Sequence, residues 1–218
     1  MKRKIFVAAF ALGLFLSPAA VAQQPPIVSK PVAEKTVMEL PNGPLFWRVE
    51  TFPTITEAQA ASGPYGLVTE AAGKIWLFTL GPQGRASSGA NKVAEIGPLP
   101  IVSATQYLLR VNEGSGPPGS TTSVHTHPGS EAYYVLAGEV SQKTPHGVSR
   151  IGAGQSMAGH GADTAMQVTS SGAMNASYFA LFVVDASKYP PAKPGALGDV
   201  PLEAADGSLT RPESGLAT

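Results

Sequence analysis

The chain of 218 residues contains no cysteine, and only 14% of its side chains are charged. Without thiols there can be no disulfide, no cysteine nucleophile and no cysteine-based zinc cluster. The 15 basic and 15 acidic residues balance, and no basic cluster outside the N-terminus could follow a phosphate backbone. Nucleic acid is therefore not expected as a partner.

Glycine and proline are plentiful, with 24 and 20 residues respectively. This composition favours many short strands joined by turns over long helices. Strand-like runs separated by turn signals recur between residues 45 and 185, and the length suits one domain. We therefore predict an all-β fold, an antiparallel sandwich or barrel.

The first 22 residues have the pattern of a signal peptide. A basic head at residues 2–4 precedes an apolar run over 5–16, and Ala20-Val21-Ala22 is a small-x-small cleavage site. The apolar run is short for a bilayer span, so we expect cleavage rather than a stable membrane anchor. An uncleaved anchor is the alternative. The mature protein is expected to be periplasmic or secreted.

Three further segments follow the predicted cleavage site. Residues 23–36 are interpreted as an extended leader that contributes little to the core, because they show neither strand nor helix periodicity. Residues 37–187 form the predicted domain, in which Thr54 and Glu57 open a short helix by a capping box. Residues 188–218 are rich in proline and glycine and predict a loose or disordered tail.

Two of the four histidines, His125 and His127, lie two residues apart in a predicted strand. That spacing places both imidazoles on one face, about 7 Å apart along the chain, where they can approach one ion. A turn at residues 128–130 can fold the carboxylate of Glu131 back towards them. Two imidazoles and one carboxylate suit iron, manganese, nickel or zinc better than calcium or magnesium.

The same residues belong to a longer pattern: Gly119, five residues, His125-x-His127, three residues, Glu131, six residues and Gly138. This segment resembles the first motif of the cupin family, with every spacing kept. The resemblance extends over residues 100–185. It implies a small antiparallel jelly-roll barrel, here with a short N-terminal α/β decoration, and a divalent transition metal bound by those three side chains.

The second cupin motif is degraded, and its usual histidine is absent in register. Asp163 or Met166 stands in its place, while His160 lies earlier in a glycine-rich turn that could bring the imidazole to the barrel mouth. We predict His160 as the fourth metal ligand, with Asp163 or no protein ligand as alternatives. Tyr133, Asp163 and Met166 are the candidate residues of a substrate pocket.

Two functions remain open at this point. The resemblance and the ligand set suggest an exported, metal-dependent oxygenase-type enzyme acting on a small organic substrate. The alternative is a non-catalytic cupin that binds or senses a small molecule, with a structural metal or none. Open strand edges in a barrel of this type also suggest a homodimer.

Overall fold

Antiparallel strands dominate the computed structural model, which describes residues 25–189. Residues 1–24, with the predicted signal peptide, and residues 190–218, with most of the predicted tail, lie outside the described residues. The elements are β1 (Val28–Val37), β2 (Phe46–Phe52), α1 (Ile55–Ala61), β3 (Gly66–Ala71), β4 (Lys74–Gly81), β5 (Asn91–Ile96), β6 (Tyr107–Gly116), β7 (Gly129–Ala137), β8 (Glu139–Thr144), β9 (Gly147–Gly152), β10 (Ser156–Ala158), β11 (Gln167–Ser170) and β12 (Ala176–Asp185).

Two facing sheets form a jelly roll. One has the strand order β1-β6-β12-β7-β10, and the other has the order β11-β8-β9. Residues 121–125 extend the second sheet, since Thr121 bridges Thr169 and His125 bridges Met166. The five-stranded sheet thus faces a second sheet of three strands and the segment 121–125. The expected small antiparallel jelly roll is confirmed.

A third layer covers the outer face of the five-stranded sheet. Its strands run in the order β3-β4-β2-β5. Trp76 and Phe78 of β4 pack edge-on against Phe179 of β12, at ring-centroid distances of 5.0 and 5.1 Å. Each fully buried aromatic ring of this kind stabilises the fold by about 1.5–3 kcal/mol. The N-terminal region therefore supplies more than half of the buried residues of the largest hydrophobic cluster, a larger part than the decoration expected.

The short helix begins where the capping box predicts. The Glu57 amide donates to the Thr54 hydroxyl oxygen at 3.2 Å, and that hydroxyl donates to the Glu57 carboxylate at 2.8 Å. Helix α1 ends at Ala61, just before Gly63. Within residues 25–189, no helix is long and apolar enough to cross a membrane.

The predicted leader differs from the structure, since most of it is strand β1. This strand pairs with β6 over its whole length, and Ile27 just before it is fully buried. The prolines obscured the strand, because proline usually argues against a strand assignment. That argument applies to central strands, whereas an edge strand tolerates proline. Strand β1 lies at the sheet edge, and the register shifts between Pro31 and Ala33, where the ladder tolerates a missing N–H.

Candidate metal and small-molecule site

His125 and His127 lie on the irregular segment that approaches β11, and not in a regular strand as predicted. His125 is held by two backbone hydrogen bonds with Met166, of 3.0 and 2.8 Å. The carbonyl of His127 accepts from the Asp163 amide at 3.0 Å. The two imidazoles still share one face, with ring centroids 4.9 Å apart and planes at 74°. The two-residue spacing therefore places the two rings close together even without a regular strand.

Glu131 lies inside strand β7, which begins at Gly129. A Cβ at position 129 would overlap the Val183 carbonyl of β12, so glycine permits the close approach of the two strands there. Glu131 is paired with Phe182 in β12, and its side chain points into the barrel. Its Oε1 lies 3.6 Å from Nε2 of His127.

Burial controls the charge of this pair. It lowers the pKa of His127 to about 3, with a further contribution from His125. It raises the pKa of Glu131 to about 8, against an opposing hydrogen bond from Tyr133. In the metal-free protein at neutral pH both groups are mainly uncharged, so the 3.6 Å contact is not an ion pair. A bound cation would reverse this preference for Glu131.

Neither ring nitrogen of the buried His127 has a hydrogen-bond partner. His125 differs, since its Nδ1 lies 2.8 Å from the carbonyl oxygen of Ser123. A carbonyl can only accept, so Nδ1 of His125 carries the proton and Nε2 keeps a free lone pair. Such a backbone contact commonly fixes the tautomer of a histidine that binds a metal.

Gln142 of β8 is a buried site residue that the sequence analysis missed. Its side-chain nitrogen lies 3.4 Å from Glu131 Oε2, 3.3 Å from the Tyr133 hydroxyl and 3.2 Å from Met166 Sδ. An amide has two N–H groups and cannot serve all three at once. Its Oε1 has no partner. The nitrogen of Gln142 therefore contacts Glu131, Tyr133 and Met166, and its oxygen remains able to accept a further hydrogen bond.

A cavity of about 450 Å³ inside the jelly roll is bordered by His125, His127, Glu131 and Tyr133. That volume falls in the range of about 300–1,000 Å³ that is typical of small-molecule sites. The lining combines aromatic rings with hydroxyl and amide groups, and no lysine or arginine among the described residues borders it. Tyr189, at the start of the predicted tail, also lines the cavity and packs against His127 and Phe182.

The predicted site residues divide into two groups. His125, His127, Glu131 and Tyr133 line the cavity, and Met166 reaches their cluster through Gln142. The backbone carbonyl of His160 accepts from the Glu131 amide at 3.4 Å, but its ring stacks on the exposed His146 at 5.6 Å and does not line the cavity. Asp163 is exposed at a left-handed turn with a φ of 59°. Neither His160 nor Asp163 lines the cavity, and the fourth ligand stays a prediction.

His125, His127 and Glu131 carry the donor types that a divalent transition metal prefers. Two imidazoles and a carboxylate have the correct chemistry, and the unpartnered nitrogens of His127 provide free donors. In the described residues, no three His, Cys, Asp or Glu side chains converge at metal-binding distances. The residues therefore fit such a metal by chemistry, and convergence would require the rings to turn from their edge-to-face packing.

Asn112 of β6 is a second polar residue of the cavity that the sequence analysis did not select. Arg110 and Asn112 alternate with Leu109 and Val111, so the polar pair shares one face of a strand. That alternation was visible in the sequence. It indicates a polar interior on one side of β6, by the same reasoning that paired His125 with His127.

No protein-family model and no curated protein matches the chain. A cupin superfamily protein from Desulfitobacterium hafniense is similar in structure, with 14% identity over 35% of this chain and 68% of that chain, at a TM-score of 0.32. A protein of unknown function from Streptococcus pyogenes shares 18% identity over 35% of this chain and 64% of its own, at 0.32. A cupin domain from Bordetella pertussis shares 20% sequence identity, over 34% of this chain and 80% of that chain, at a TM-score of 0.30.

The matched part of the Streptococcus protein is less than two thirds of its length, and all three likenesses cover about a third of this chain. The strand order and the positions of the motif residues within it define the fold. The His-x-His pair lies on the segment bridged to β11, and Glu131 lies on β7 in the facing sheet. The chain has a cupin-type jelly roll.

Proposed function

We propose that the cavity is a small-molecule site organised by iron, manganese, nickel or zinc, with His125, His127 and Glu131 as the protein ligands. The observation that carries this proposal is the environment of His127. Its two ring nitrogens are buried without partners, and Nε2 lies 3.6 Å from the Glu131 carboxyl. Leaving buried polar atoms unsatisfied costs about 1–3 kcal/mol, which a bound ion would recover.

A bound metal would act as a Lewis acid with positions open to a ligand. The protein's own residues would supply orientation and exclude water. Gln142 and Tyr133 both contact Glu131 and would hold its carboxylate in place. Phe182 packs on the His127 ring at 4.9 Å and shields it from solvent.

For the reaction we propose oxygenase-type chemistry on a small organic substrate, since two imidazoles and one carboxylate leave several coordination positions free. A non-catalytic binding or sensing protein is the second candidate. It is favoured by Gln142 and Met166, because neither of these buried neighbours can exchange a proton with a substrate. Tyr133 could, but burial raises its pKa well above the usual value.

Elemental analysis of the untagged, exported protein tests the metal. We expect near-stoichiometric transition metal in the parent and at least tenfold less in His127→Ala, because two ligands bind an ion far more weakly than three. His146→Ala is the matched control, as its imidazole is exposed and outside the cavity. Equal metal content in the parent and His127→Ala would refute the ligand assignment. Iron or manganese with dioxygen uptake would favour the enzyme over the binding protein.

We also propose export with cleavage after Ala22 and a homodimer in solution. The signal-peptide pattern of residues 1–22 supports the first, and the open sheet edges support the second. Mass spectrometry of the secreted form should show Gln23 as the first residue. Light scattering should return twice the mass of the mature chain, and a monomer at micromolar concentration would contradict the dimer.

A further inference from the structure

The sheet face that carries Glu131 also carries, two strands away on β6, an unpartnered polar atom that the metal site does not use. Asn112 is only 6% exposed, and it borders the cavity. Its side-chain nitrogen donates to the Ser29 hydroxyl at 3.3 Å, whereas its Oδ1 has no hydrogen-bond partner. Buried carbonyl oxygens normally accept a hydrogen bond, so this one could accept from a bound ligand.

The strand register defines the space beside this acceptor. Asn112 of β6 is paired with Ala180 of β12, and Ala180 is paired with Tyr133 of β7. Adjacent strands lie about 4.8 Å apart, so the Asn112 and Tyr133 backbones stand about 10 Å from each other. Only the methyl group of Ala180 lies between them on this face.

The neighbours of Ala180 along β12 give this space its shape. Tyr178 and Phe182 lie two residues away on either side, so they share the face of Ala180, and both line the cavity. The result is a slot with Ala180 as its floor, two aromatic walls, Asn112 at one end and Tyr133 at the other. A flat ring would fill the slot and pack against both aromatic walls.

We propose that the cavity takes a ring compound whose hydroxyl group donates a hydrogen bond to Asn112 Oδ1. This inference rests on the proposed small-molecule site and adds the class of its ligand. Because an amide oxygen can only accept, the group that meets Oδ1 is an uncharged hydroxyl and not an anionic oxygen. Asn112 is then a specificity-determining residue, since a ring without a donor leaves its oxygen unpaired.

Benzyl alcohol and benzyl methyl ether test this inference, because they share the ring and differ in the donor. Affinities are measured by ligand-observed NMR titration on the protein as purified. The parent should bind the alcohol several-fold more tightly than the ether. Asn112→Leu should weaken the alcohol about five- to tenfold and leave the ether within twofold, as expected for one lost buried hydrogen bond.

Three further variants support the interpretation. Asn112→Ser restores an oxygen acceptor on a shorter side chain and should recover part of the alcohol's affinity. Asn175→Leu is the matched control on an exposed turn and should change neither affinity. Ala180→Leu should abolish binding of both probes, because its side chain fills the floor of the slot.

The outcomes separate this inference from the metal proposal. Failure of both probes to bind the parent, or an equal loss for both in Asn112→Leu, would overturn the ligand class. Metal content is measured on the same samples. Absent metal with the expected probe pattern would refute only the metal site, and stoichiometric metal with the wrong pattern would refute only the role of Asn112.

Discussion

The two faces of the five-stranded sheet have opposite characters, although the same strands build both. On the outer face, Leu181 and Phe179 of β12 meet the N-terminal layer in the largest hydrophobic cluster of the described residues. On the inner face, Asn112 and Glu131 are buried next to a cavity. Alternation along each strand separates the two environments by a single residue. The outer face therefore contributes packing, while the inner face combines a second hydrophobic cluster with the polar residues of the cavity.

The largest expected effect concerns the outer face. Phe179→Ala should lower the free energy of unfolding by about 3–5 kcal/mol, because a fully buried ring and its contacts with Trp76 and Phe78 are lost. Phe182→Ala on the inner face should cost less, about 2 kcal/mol, since that ring already borders the cavity. Urea denaturation measures both. Equal losses would remove the distinction between the two faces.

The second prediction concerns pH and the metal-free protein. The raised pKa of Glu131 gives stability that is complete below about pH 4.5 and is lost as the pH rises to about 8. The lowered pKa of His127 gives stability that is present above about pH 6.5 and is lost as the pH falls to about 3. The two effects oppose each other between pH 4.5 and 6.5. Above pH 6.5 only the titration of Glu131 changes the stability.

Chelator-treated protein should therefore be about 2 kcal/mol less stable at pH 8 than at pH 6.5, measured by urea denaturation. Glu131→Gln should flatten this slope, because an amide does not titrate. Glu139→Gln is the matched control, since that carboxylate is half-exposed at the start of β8. An unchanged slope in Glu131→Gln would show that a group other than Glu131 causes the pH dependence.

The smallest expected effect distinguishes the cavity from the loop beside it. His160→Ala should leave the metal content within twofold of the parent, because its ring stacks on His146 and does not line the cavity. Elemental analysis of this variant beside His125→Ala makes the comparison. A loss as large as that of His125→Ala would restore His160 as the fourth ligand and require its turn to move.

The sequence predicted the parts of the site that depend on local spacing. His125, His127 and Glu131 are close together because two-residue alternation and one turn are enough to place them. It did not identify Gln142, whose role depends on the pairing of separate strands. The prediction for His160 relied on glycine flexibility, which allows many positions and selects none of them.

By itself, the sequence determined the all-β class, the capped helix and the histidine pair, because each follows from periodicity or contacts within a few residues. Only the tertiary structure decided that β1 joins the main sheet and that the N-terminal strands cover its outer face. It also placed Asn112 across Ala180 from Tyr133. These arrangements depend on the register between strands distant in the chain, which burial of whole faces selects.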